Sequence, residues 1–66
     1  MFAQRIIELR KERNLTQLDL AKALAVSQRT VSYWEKGSRE CDFNTLIKIA
    51  KYFNVSTDYL LGLTEY

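Results

Sequence analysis

Four polar residues, Thr16, Ser27, Asp42 and Ser56, each stand just ahead of an apolar pattern with helical spacing. A short side-chain oxygen at such a place can accept from the open N–H groups of a first helical turn. This punctuation, in 66 residues without a proline, limits the chain to a stack of short helices. Phe2, Ile6 and Leu9 mark the buried face of the first, which Asn14 ends as a left-handed residue with Leu15 packing behind it. Thr16 caps the second and, with Asp19, makes a start resembling a capping box. Its inner face is Leu20, Ala21 and Leu24, and it stops around Ala25.

Ser27 caps a third helix that turns Val31 and Trp34 inward and ends at Gly37. The polar loop "SRECD" follows. Asp42 caps a fourth helix, "FNTLIKIAKYF", with Leu46, Ile49, Ala50 and Phe53 inside and Asn54 at its end. Ser56 caps a short last helix, Thr57 to Leu61, closed by Gly62. Tyr52 and Phe53 are the best strand formers, but they lie within a helical period, so no strand is expected. The predicted fold is all-α, one domain over residues 1–66, with connections of about two to six residues. Its expected core is Phe2, Ile6, Leu9, Leu15, Leu20, Ala21, Leu24, Val26, Val31, Trp34, Leu46, Ile49, Ala50, Phe53, Val55 and Leu60.

Composition narrows the function. There is no histidine and one cysteine, Cys41. An internal disulfide is therefore impossible, a metal cluster is not expected, and no nucleophile–base pair stands out. The chain is read as a non-enzyme with no metal, cofactor or small-molecule ligand evident. No apolar run exceeds four residues, so neither a membrane span nor a signal peptide is expected, and the reading is cytoplasmic. A net charge of +2 says little by itself. The placement says more, because Arg5, Arg10, Lys11, Arg13, Lys22, Arg29, Lys36 and Arg39 precede an acidic end with Asp58 and Glu65.

Residues 17 to 36 carry the functional signal. Leu20, Leu24, Val26, Val31 and Trp34 are apolar, Ala21 is small where two helices would cross, and Ala25-Val26-Ser27 is a three-residue turn. This is a helix-turn-helix pattern, in which the second helix lies in the major groove of DNA. The first helix and the core set the angle at which the second protrudes.

"TQLDLAKALAVSQRTVSYWEKG" resembles the helix-turn-helix of the phage Cro and repressor family, or XRE family. The likeness runs from "RIIELRKERNLTQ" to "LIKIAKYFNVSTDYLLG". It rests on Arg10, Thr16-Gln17, Leu20-Ala21, Val26-Ser27, Trp34-Glu35, Gly37 and the ending Val55-Ser56, Asp58 and Leu60-Leu61-Gly62. It implies a compact five-helix bundle of the lambda-repressor-like type that binds double-stranded operator DNA as a transcriptional regulator and a homodimer on a palindrome, with repression the first expectation and activation left open. Two departures stand out. Ala25 replaces a frequent glycine at a left-handed position, an expected strain of about 1 kcal/mol. Glu40-Cys41-Asp42 replaces a loop that often holds proline, and both carboxylates would repel a phosphate they faced.

Side-chain chemistry then assigns candidates. Gln28 can both donate to and accept from adenine, and Arg29 can bridge guanine O6 and N7. Thr30, Ser32 and Tyr33 could touch bases further along. Thr16, Gln17, Lys36, Ser38, Arg39 and Asn44 are the candidate phosphate contacts. The resemblance further implies that the Gln17 side chain braces Gln28, and that Arg10 and Glu35 form a partly buried structural ion pair. Tyr59, Leu61, Leu63 and Tyr66 are candidate dimer contacts, being more apolar than a free surface needs. The alternative reading is an antitoxin-like protein-interaction module whose DNA binding is secondary. Whether the chain is a complete regulator or part of a longer one stays open.

Overall fold

The computed structural model describes residues 1–65. Five helices follow in order: α1 (Phe2–Glu12), α2 (Gln17–Leu24), α3 (Gln28–Lys36), α4 (Phe43–Phe53) and α5 (Thr57–Leu60). No strand occurs among the described residues.

The caps read from the sequence are formed. Thr16 Oγ1 accepts from Asp19 N, and Asp19 Oδ2 accepts from Thr16 N, both at 3.0 Å. Ser27, Asp42 and Ser56 accept from Thr30 N, Thr45 N and Tyr59 N at the starts of α3, α4 and α5. The helix ends share a second device. Asn14, Ala25, Gly37 and Asn54 take left-handed conformations, and the next N–H reaches back to the carbonyl five residues earlier. Leu15 bonds to Arg10 O, Val26 to Ala21 O, Ser38 to Tyr33 O and Val55 to Ala50 O, all at 2.9–3.0 Å. Asparagine visits this region readily, whereas Ala25, at φ 59, does not. A Cβ on Gly37 would meet nothing within 4 Å, so glycine serves there for its φ of 75 and not for space.

The core gathers Ile6, Leu9, Leu20, Ala21, Leu24, Val31, Trp34, Leu46, Ile49, Ala50, Phe53 and Leu60. Four expected core residues, Phe2, Leu15, Val26 and Val55, are only half-buried and pack against its margin. Three of them follow a left-handed helix end, where the chain has already begun to turn outward. Phe2 lies at the α1 start, edge-on to Trp34 with ring centroids 6.1 Å apart. The last helix is shorter than expected. It ends at Leu60, with Leu61 still right-handed, and Gly62 closes the turn as Leu63 N bonds to Asp58 O.

Basic side chains lock the helices together. Arg13 donates to Tyr52 O and Phe53 O at the α4 end, and Lys48 Nζ donates to Leu24 O at the α2 end. Both place positive charge where the helix dipole is negative. No described helix is long and apolar enough to cross a membrane.

Candidate nucleic-acid interface

The α2–turn–α3 unit is built around small and fully buried residues. Ala21 is 1% exposed where α2 meets α3, and Leu20, Leu24 and Val31 have no exposed surface. With Val31 and Trp34 turned inward, α3 has one direction left for its polar residues. Gln28, Arg29, Ser32, Tyr33 and Lys36 form that outer stripe, spaced by one helical turn. Gln28, Arg29 and Lys36 are exposed, whereas Ser32 and Tyr33 are half-buried. Thr30 lies beside the stripe and is already engaged, since its hydroxyl is 2.9 Å from Ser27 Oγ.

Behind this stripe sits the ion pair that the resemblance implied. Arg10 Nε donates to Glu35 Oε2 at 2.7 Å and Arg10 Nη2 to Oε1 at 3.0 Å, a two-pronged contact. Arg10 Nη1 also donates to Leu15 O at 2.9 Å, beyond the α1 end. The two side chains keep 14% and 8% of their surface exposed. Hydrogen bonding to Glu35 raises the Arg10 pKa despite burial. Burial by itself would push the Glu35 carboxyl up, but hydrogen bonds from Arg10 and Gln17 outweigh it and hold the group below its ordinary value.

Gln17 is where one expectation fails. Its Nε2 donates to Glu35 Oε1 at 3.0 Å, not to Gln28. The unsatisfied lone pairs of a nearly buried carboxylate are a stronger attraction than an exposed neutral amide. Gln17 therefore extends the ion pair into a three-residue clamp joining α1, α2 and α3. Its place at the first turn of α2 leaves its backbone N–H directed along the helix axis.

The remaining candidates are spread around α3. Thr16 caps α2 with its hydroxyl oxygen, so the hydroxyl proton remains to donate. Lys36, Ser38 and Arg39 are exposed at and beyond the α3 end, and Asn44 is exposed in the first turn of α4. Arg39 lies over the Tyr33 ring at 4.9 Å. Asn44 has Asp42 beside it, whose carboxyl is held low by hydrogen bonds from Thr45, so a negative charge already occupies that helix start.

The C-terminal candidates divide. Tyr59 packs on the core beneath the Arg5 guanidinium, 4.2 Å from its ring, and so belongs to this fold's own packing. Leu61 is 47% and Leu63 74% exposed, and Tyr66 lies outside the described residues. Sequence reasoning missed two neighbours in kind, Met1 and Phe43, which are 65% and 84% exposed. Phe43 and Leu61 border a groove that Phe2, Glu40, Cys41 and Leu46 complete. Phe43 could have been noticed, as a large apolar residue of α4 absent from its inner-face set. Cys41 is half-buried, and burial together with Asp42 and Glu40 pushes its thiol pKa up.

Comparison with known proteins agrees with this geometry. Residues 6–60 match the helix-turn-helix family. The chain is 41% identical over 61 residues to the uncharacterized HTH-type transcriptional regulator YqaE of Bacillus subtilis (strain 168), covering 92% of this chain and 53% of that protein. It is 39% identical over 62 residues to the HTH-type transcriptional regulator ImmR of the same organism, covering 94% and 49%. The chain thus spans about half the length of these relatives. Among solved structures, the P22 c2 repressor protein in complex with synthetic operator 9T superposes with a TM-score of 0.90, at 31% identity, over 97% of each chain. The chain belongs to the helix-turn-helix family, with the fold of its Cro- and repressor-type DNA-binding domains.

Proposed function

We propose that residues 1–66 serve as one DNA-binding domain that represses transcription, as a homodimer on a palindromic operator in the cytoplasm. The family is one of DNA-binding regulators and not of enzymes. The observation that carries the reading is the outer stripe of α3, where the side chains of Gln28, Arg29 and Lys36 make no hydrogen bond or ion pair among the described residues. Polar side chains held out on a rigid helix, with nothing of their own fold to bind, suit a groove lined with donors and acceptors. The operator complex of the structurally similar P22 c2 repressor supports the same assignment.

In this reading α3 enters the major groove. Gln28 and Arg29 face base edges first, and Ser32 reads one turn further on. Thr30 offers its methyl while its hydroxyl stays with Ser27. Thr16, Gln17, Lys36, Ser38, Arg39 and Asn44 face phosphates, Gln17 and Asn44 through their first-turn N–H groups. Leu61 and Leu63 meet a second copy, so that two α3 helices stand about 34 Å apart, one turn of DNA. Repression follows where this footprint overlaps the site used by polymerase.

Selection from random duplex DNA with the purified chain, at about 50 and 200 mM salt, tests the reading. A palindrome with half-sites one helical turn apart is the expected result. Weak, sequence-blind binding would remove the operator and dimer assignments. The exposed Met1, Phe43, Leu61 and Leu63 favour a second reading, an antitoxin-like module for a protein partner. Complete absence of duplex binding would leave that as the better account.

A further inference from the structure

Among the described residues three arginines lie over aromatic rings, and one of them differs from the others. Arg13 lies over Phe53 at 5.1 Å while donating to two carbonyls of the α4 end. Arg5 lies over Tyr59 at 4.2 Å and also reaches Thr64 O at 3.5 Å. In both, stacking and hydrogen bonding serve the same internal joint. Arg39 lies over Tyr33 at 4.9 Å, yet its guanidinium makes no hydrogen bond or ion pair among the described residues. The adjacent Glu40 is not paired with it either.

The backbone arranges this contact. Gly37 turns left-handed at the end of α3, and Ser38 N bonds back to Tyr33 O at 3.0 Å. That reversal carries Arg39 back along α3 to the level of Tyr33, one turn before the helix end. Tyr33 is half-buried, and together with Val26, Thr30, Trp34, Glu40 and Asp42 it lines a depression between α3 and the loop to α4. A long, exposed arginine thus rests on a half-buried ring with its N–H donors uncommitted.

We propose that Tyr33 is a positioning residue, which holds the Arg39 guanidinium ready for a DNA phosphate and does not itself read a base. This rests on the DNA-binding reading above. Stacking uses the face of the guanidinium and leaves its edge free, and the edge is what binds phosphate oxygens. A side chain held before contact loses less freedom on binding. The phenol hydroxyl is not needed for this, so phenylalanine should replace tyrosine without loss.

The test uses the whole chain and a mixed-sequence duplex of about two helical turns, titrated across salt. The wild type, Tyr33→Phe, Tyr33→Ala, Arg39→Ala and the double variant Tyr33→Ala/Arg39→Ala would be compared. Tyr33→Phe should match the wild type. Tyr33→Ala should weaken binding about two- to fivefold, the loss of an exposed cation–π contact. Arg39→Ala should lower the log–log salt slope by about one. The double variant should bind no worse than Arg39→Ala. In the free protein, Arg39 side-chain protons should carry a ring-current shift that persists in Tyr33→Phe and vanishes in Tyr33→Ala.

Additive losses in the double variant would overturn the proposal, as would a Tyr33→Ala variant that binds like the wild type. Weaker binding by Tyr33→Phe than by the wild type would also overturn it, because the hydroxyl would then take part in the contact. If the wild type bound no duplex at all, the DNA-binding reading itself would fail, and the positioning role with it.

Discussion

Arg10 and Arg29 are the same residue in two different situations. Arg10 spends its donors on Glu35 and on Leu15 O, where little water reaches. Arg29 stands in the open on α3, and its side chain makes no hydrogen bond or ion pair among the described residues. The contrast extends to their neighbours. Around Arg10, Glu35 and Gln17 close a clamp across three helices, whereas around Arg29, Gln28 and Lys36 are left to solvent. Paired charge sets the angle of α3, and unpaired charge is what α3 has to offer. A small domain can do both because one helix has two sides.

Breaking the clamp should give the largest effect. Glu35→Ala leaves the Arg10 guanidinium nearly buried without its partner, a loss of about 3 kcal/mol. Denaturant melts should show that loss, with base preference in the folded fraction unchanged. Unaltered stability would sink the structural role.

Breaking the other side should spare the fold. Arg29→Ala should leave the melting curve alone and weaken discrimination at one base pair by about 1–3 kcal/mol, read by competition with single-base operator variants. Equal weakening on every sequence would move Arg29 to the phosphates.

The clamp also has a pH signature. The native Glu35 carboxyl is held below its ordinary value of 4.5, so its stabilisation is complete above that value. It is lost as pH falls through the lower native value. Melts of wild type and Glu35→Gln, recorded down to about pH 3, should therefore converge in acid. A gap that widened on acidification would contradict the assignment.

Two smaller effects sharpen the comparison. Ala25→Gly relieves the left-handed alanine and should stabilise the turn by about 0.5–1 kcal/mol, with no change in binding specificity. Lys36→Ala should leave stability and preference alone and reduce the salt slope by about one unit.

Much of this could be read from residue order. The caps at Thr16, Ser27, Asp42 and Ser56, and the left-handed ends at Asn14, Gly37 and Asn54, follow from side-chain chemistry acting over a few residues. The apolar spacing likewise places Val31 and Trp34 inside and leaves Gln28 and Arg29 outside. Local rules suffice there because each residue responds to neighbours within one helical turn.

The roles of the charged and half-buried groups needed the tertiary structure. Nothing in residue order says that Arg13 and Lys48 cap helices 40 and 24 residues away, or that Arg5 covers Tyr59. The partner of Gln17 is a case in point, since it goes to Glu35 only because α1 has buried that carboxylate beside Arg10. Exposure of Phe43, and burial of part of Tyr59, depend likewise on which elements come to lie against them. Periodicity and capping belong to the chain within a turn, and the sequence alone determines them. A long polar side chain reaches several possible partners, and only the packed helices decide which of them is near.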